Sequence, residues 1–347
     1  MMRVFWAGFP GFSGGANTEC WHTAKMLRQH GIEVTFIPTQ GADLQLAPRL
    51  EGIGCKVVQA NVKELPNVDG LKDSIVISMC NANFIAIAKT YRDLGCRIIW
   101  INCMTFCYPN ELRHYAGYGK AFDAYVFQSD WQRRQIEPQL GRFDYQPTQG
   151  HLIRGAFDYD EFPFKPREHT NGKPFMVCKL SRAECDKYSS NLWPIVKRVP
   201  FSHLRFQAMA WNPNVEQKCG KPPDNAAVYE SCGRDVQEFL GESHCMLHCN
   251  GGAGENWPRV GLEAMAAGVP IVAQNQWGWQ EMVRNGRTGY LCSDDINEIA
   301  YRIAQLAYDE QHRMEIITTA RFTLENELAN KETIWSQWEQ MLGSLAA

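Results

Sequence analysis

Residues 3–38 read as strand, glycine-rich loop, helix, glycine, strand, and this succession constrains the fold more than any other feature of the chain. Arg3-Val-Phe-Trp-Ala-Gly8 is a short apolar run closed by glycine, the pattern of a strand buried on both faces. Pro10-Gly11-Phe12-Ser13-Gly14-Gly15 is turn-forming, and from Ala16 to His30 the residues Cys20, Trp21, Ala24 and Leu27 fall at helical spacing. Gly31 closes that helix and Ile32 to Pro38 is the next strand. Such a unit joins two parallel strands through a crossover helix, which commits the chain to a layered α/β design.

The alternation continues. Strands are expected at 56–59, 74–78, 97–101, 124–127 and 151–154, with a helix from Asn83 to Leu94. The proline- and turn-rich stretch from Gly155 to Pro166, with Arg167 to Lys173 after it, reads as a domain boundary. Strands then resume at 175–178, 204–209, 244–248, 269–273 and 289–292. Helices are expected from about Ser190, at 235–240, 259–267 and 279–285, and then at 296–306, 310–327 and 333–345. A chain of 347 residues accommodates about two domains. We expect α/β domains over 1–165 and 166–330, with 331–347 a helix crossing back to the first.

Composition excludes several classes. Hydrophobic residues make up 45% and charged residues 21%, enough for two cores and too apolar for a disordered chain. There are 17 Lys and Arg against 16 Asp and Glu in residues 1–165, and 18 against 22 in the rest, so neither half is a basic block suited to nucleic acid. No apolar run reaches the roughly 18 residues of a membrane span, and the N-terminus lacks the apolar core of a signal peptide. We expect a cytoplasmic protein with at most peripheral membrane contact. The thirteen scattered cysteines then read as reduced thiols.

The chemistry concentrates in Glu255-Asn-Trp-Pro-Arg-Val-Gly-Leu-Glu263-Ala-Met-Ala-Ala-Gly268-Val-Pro270. Glu255 follows a glycine-rich loop at the carboxyl edge of the strand 244–248, where open parallel sheets bind ligands. The helix that begins there suits phosphate, and a carboxylate beside it suits sugar hydroxyls. The pair Glu255 and Glu263 therefore points to a ligand with both groups.

This Glu-x7-Glu segment and the later Trp277-Gly278-Trp-Gln-Glu281-Met-Val-Arg-Asn-Gly286-Arg-Thr-Gly289-Tyr-Leu closely resemble the retaining glycosyltransferases of family 4. Gly14-Gly15, Gln128-Ser129, and Ile153-Arg-Gly155-Ala-Phe-Asp158 followed by Phe162 extend the resemblance more weakly over most of the chain. It implies the GT-B fold, two Rossmann-like domains facing a central cleft, and a nucleotide-sugar donor held mainly by the second. Glu263 would bind the nucleotide ribose and Glu255 the transferred sugar. Asn256, Trp257, Pro258, Arg259 and Gly278 would line the donor, and Gly14 and Gly15 would close over its phosphates. Family members carry Arg, then Lys, in the loop that here reads Lys179-Leu-Ser-Arg182-Ala-Glu-Cys-Asp-Lys187. Lys179 stands where Arg is usual, so Arg182 and Lys187 rank above it as the cations for the leaving diphosphate. Where many members have a histidine, this chain has Asn102-Cys-Met-Thr105, leaving Asn102 and Thr105 as candidates.

The activity implied is metal-independent transfer with retention, from a donor such as UDP-glucose to the hydroxyl of a saccharide, glycolipid or small metabolite. No cofactor and no metal ligand is expected. The alternatives are transfer to a modified nucleobase in DNA, a sugar-nucleotide epimerase of the same fold, and a non-catalytic nucleotide-sugar-binding subunit. Oligomeric state is unreadable. His244-Cys245-Met-Leu-His248-Cys249 has the look of a metal cluster, but alternation sends the histidines to one face and the cysteines to the other, so it reads as a structural strand. Cys103 and Cys107 read the same way.

Overall fold

The computed structural model describes residues 2–11, 14–39, 46–170 and 172–346. The chain divides into two compact units, Met1–Phe157 with Lys331–Ala347, and Asp158–Asn330.

Among the described residues the first unit holds seven strands, β1 (Arg3–Ala7), β2 (Glu33–Ile37), β3 (Lys56–Val57), β4 (Ile75–Met79), β5 (Arg97–Ile101), β6 (Ala124–Phe127) and β7 (Gly150–Leu152). They pair in parallel in the order β3-β2-β1-β4-β5-β6-β7. Alternate residues feed opposite faces. Val4, Trp6, Val34, Phe36 and Ile77 pack with Ala24 and Leu27 of the helix Gly15–Gln29. Phe5, Val76, Ile98, Trp100 and Tyr125 pack on the other side with Phe84 and Tyr115. The last helix, Lys331–Ala346, adds Ile334, Trp338, Met341 and Leu342 to the first of these layers, and its Trp335 stacks on His30 at 4.0 Å.

The second unit repeats the design. Its strands are β8 (Phe175–Leu180), β9 (Leu204–Met209), β10 (Ala226–Tyr229), β11 (Cys245–His248), β12 (Ile271–Gln274) and β13 (Gly289–Cys292), parallel in the order β10-β9-β8-β11-β12-β13. In both sheets the strand order reverses beside the first strand, between β1 and β4 and between β8 and β11. The carboxyl ends of strands flanking such a reversal splay their loops apart and leave a crevice for ligands.

Several elements lie outside the periodicity reading, among them the helices Ala47–Gly52, Pro109–Tyr118, Asp130–Leu140 and Pro213–Cys219, and the edge strand β10. Asp130–Leu140 is mostly polar and carries Pro138. What starts it is local: the Ser129 side chain accepts a hydrogen bond from Gln132 N at 3.0 Å. The helix expected at 310–327 leaves α geometry after Thr323 and continues as a wider turn, Leu324–Leu328. Among the described residues no helix is long and apolar enough to cross a membrane.

Candidate active site

The reversal between β8 and β11 brings two loops together that are far apart in sequence. The loop after β8 contains one turn, Cys185–Lys187, and the loop after β11 runs from Cys249 to Pro258. Backbone hydrogen bonds stitch them, with Gly251 N and Ala253 N donating to Asp186 O at 2.7 and 3.1 Å. Lys218 Nζ donates to Cys185 O at 2.7 Å and to Gly251 O at 3.2 Å. Glycine at 251 is required by this approach, because a Cβ there would lie 2.2 Å from Tyr188 O.

The stitching places Lys187 against Glu255, Nζ to Oε1 2.9 Å, with both side chains 13% exposed. Glu255 Oε1 also lies 3.5 Å from His248 Nε2, at the end of β11. Burial raises the Glu255 carboxyl, but His248 and Lys187 more than reverse this and hold it at about 2, ionised at any physiological pH. Lys179, on β8, is fully buried, its Nζ without a hydrogen-bond partner and 4.9 Å from the centroid of the Tyr188 ring. Burial lowers its pKa, with Cys249 and Glu255 opposing and Lys187 adding to the shift. A buried ammonium with no acceptor costs free energy that an incoming anion would recover. Arg182 does not join this cluster. It is exposed and pairs with Glu184 at 3.1 Å.

The second carboxylate sits on the helix Arg259–Ala267, which starts where the loop ends. Glu263 is buried, and burial raises its carboxyl while Arg259 opposes. The turn between the two acids is itself buried at Asn256, Trp257 and Arg259. Gly278 fixes it. Its N donates to Glu255 O at 2.9 Å, and a Cβ at 278 would stand 1.6 Å from Asn256 O. Gly268 ends the helix at φ 83°, a left-handed conformation that favours glycine.

The other sequence candidates belong to the first unit. Gly14 adopts φ 99° and starts the helix Gly15–Gln29, its carbonyl accepting from Asn17 N and Thr18 N. Phe12 and Ser13 of the same loop lie outside the described residues. Asn102 is buried, and its side chain holds its own loop, donating to Phe106 O at 2.9 Å and accepting from Met104 N at 2.8 Å.

His248 is the residue that sequence reasoning took for a strand filler and that lies beside Glu255. Its ring tilts against Trp279, centroids 4.6 Å apart, and its Nδ1 has no hydrogen-bond partner. His244 on the same strand face does something different: its Nδ1 accepts from Met176 N at 2.9 Å and its ring stacks on Phe175. Periodicity assigned both to one face. It carried no signal for which of them meets the glycine-rich loop.

Residues 221–322, which include both acids and Gly278, match the family model described as Glycosyl transferases group 1. A stretch of 106 residues is 35% identical to the N-acetyl-alpha-D-glucosaminyl L-malate synthase of Bacillus anthracis, covering 30% of this chain and 27% of that protein. Another of 88 residues is 34% identical to the capsular polysaccharide biosynthesis glycosyltransferase CapM of Staphylococcus aureus, covering 25% and 23%. The matched segments thus span about a quarter of these relatives. Over the whole chain the fold is similar to HepE of Anabaena in complex with UDP-glucose, with TM-score 0.78, 15% identity, and 99% and 100% of the two chains covered. It is equally similar to a glycosyltransferase from Rickettsia africae, with TM-score 0.78, 15% identity, and 99% and 98% covered. The fold is the GT-B fold of these glycosyltransferases, and the match to group 1 glycosyl transferases covers residues 221–322.

Proposed function

We propose that the protein is a retaining glycosyltransferase of family 4 that moves a sugar from a nucleotide-diphosphate-sugar, with UDP-glucose the first donor to try, to an acceptor hydroxyl. One observation carries the reading: at the reversal point of a parallel sheet Lys187 pairs with the Glu255 carboxylate, and a second lysine, Lys179, is buried on the adjoining strand without a hydrogen-bond partner. Lys179 and Lys187 are the cations for the diphosphate. Arg182 adds to them by leaving Glu184, an exposed pair worth about 1 kcal/mol or less. Glu263 takes the ribose hydroxyls, and Glu255 takes sugar hydroxyls and orients the ring without attacking it. The anomeric carbon–oxygen bond breaks toward the diphosphate, whose negative charge the lysines stabilise. The acceptor oxygen bonds to the same face, and its proton passes to the departing phosphate oxygen. These cations supply the charge a divalent metal would otherwise bring, so transfer proceeds without one. The Asn256–Arg259 turn and Gly278 hold the acids in register.

The test is a thermal-shift screen of nucleotide-sugars, followed by NMR of the product anomer with a chelator present. The expected result is retention, an unchanged rate with chelator, and a fall of about a thousandfold or more in Glu255→Ala with the fold intact. Wild-type transfer by Glu255→Ala, or turnover of nucleotide-sugar to an epimer without acceptor, would sink the assignment.

A further inference from the structure

Glu255 has two neighbours competing for one oxygen, and they differ in how firmly they are held. Lys187 approaches Oε1 from a single turn of helix on a four-carbon stem, and it is partly exposed. His248 approaches the same oxygen from the last residue of β11, 2% exposed, with its ring against Trp279. Under the proposed function Lys187 is needed at the diphosphate. When it leaves, Glu255 loses its closest partner while remaining mostly buried. A buried carboxylate with no donor reprotonates or rotates toward water, and either change misplaces the oxygen that meets the sugar.

We infer that His248 is a positioning residue: neutral, with its proton on Nε2, it keeps Glu255 Oε1 in place for the sugar when Lys187 moves from the carboxylate to the donor phosphates. This rests on the proposed function. The tautomer follows from the surroundings. A neutral imidazole carries one N–H, and the nitrogen facing a carboxylate is the one that gains by carrying it. The charged groups that face the ring are Glu255 from its own loop, Lys179 from β8 and Lys187 from the turn 185–187. Trp279, from the helix Trp279–Met282, is neutral. Burial lowers the His248 pKa, the two lysines add to this, and Glu255 opposes. The geometry agrees with an uncharged ring, because Nδ1 is buried without a hydrogen-bond partner and a proton there would be unsatisfied.

Two measurements decide the inference. The first needs no ligand: NMR of the whole chain labelled with 15N-histidine, the His248 signal being assigned by its loss in His248→Gln. The expected ring is an Nε2–H tautomer that does not titrate between about pH 5.5 and about pH 8.5 and whose Nε2 shift moves in Glu255→Gln. An Nδ1–H tautomer, a titration near the ordinary histidine pKa, or no response to Glu255→Gln overturns the inference. The second is calorimetric titration with UDP and with UDP-glucose. His248→Phe should bind UDP within about twofold of wild type, yet lose about tenfold of the extra affinity that glucose confers. His248→Gln, which returns an N–H donor, should restore most of it. A glucose increment that is equal in wild type and His248→Phe overturns the inference. If wild type binds neither UDP nor any nucleotide-sugar, the proposed function fails, and the ligand-free NMR still decides whether His248 holds Glu255.

Discussion

At the scale of the residue, the carboxyls of the two acids of the site are shifted in opposite directions. Glu255 sits at about 2 because burial is outweighed by His248 and Lys187, whereas Glu263 is pushed upward by burial with only Arg259 in opposition. The signs give different predictions. A depressed carboxyl stabilises the fold above its unfolded value, near the ordinary 4.5, and that contribution is lost as pH falls toward about 2. Lys187→Met removes one of the two partners and narrows the gap between the folded and unfolded values, so its melting temperature, lower at neutral pH, should fall less than that of wild type between about pH 4.5 and about pH 2 in an acid titration followed by calorimetry. A raised carboxyl does the reverse and costs stability as pH rises through its unfolded and folded values. Glu263→Gln should therefore raise the melting temperature at neutral pH while weakening nucleotide-sugar binding about tenfold, as a thermal-shift titration would read. An unchanged affinity would remove Glu263 from the binding site. Glu255 and Glu263 were legible as a pair from their spacing. Their opposite shifts were not, because Lys187, one of the two groups that lower the Glu255 carboxyl, comes from a turn far along the chain.

At the scale of the element, the site depends on loops held by close backbone approaches. Gly278→Ala drives a methyl into Asn256 O, and the Glu255–Asn256 turn must move. We expect a loss of about 1–3 kcal/mol in denaturant unfolding and a fall of about a hundredfold in transfer. Normal activity would mean that the turn between the acids does not set their positions. Strands were easy to read where both faces are buried, as in β1, β5 and β13, because short apolar runs with a glycine beside them have few other uses. Helices announced by caps and not by apolar stripes were missed. Asp130–Leu140 buries only Gln132, Ile136 and Leu140, and Pro213–Cys219 starts where Asn212 accepts from Val215 N at 2.9 Å. Such elements are stabilised by their ends, and hydrophobic periodicity cannot register that.

At the scale of the molecule, the last helix belongs to the core of the first unit although 173 residues of the second unit, Asp158–Asn330, precede it. Trp338 is almost wholly buried in the layer containing Trp6 and Phe36. Trp338→Ala should cost about 3–5 kcal/mol, and scanning calorimetry should show the loss in the transition of the first unit. A shift confined to the other unit would contradict this packing. The sequence by itself determined the α/β alternation, the helix and glycine that carry Glu263, and the chemical type of the residues around Glu255. These are local properties, written in spacing and composition over a few turns. Only the tertiary structure decided that β11 lies beside β8, that Lys187 and not Arg182 meets Glu255, that Lys179 is buried with no acceptor, and that His248 faces the same carboxylate. The physical reason is that strand neighbours are chosen by how two sheet faces are covered by helices far along the chain. The period of a single strand tells which face a side chain takes and nothing about which loop it will meet.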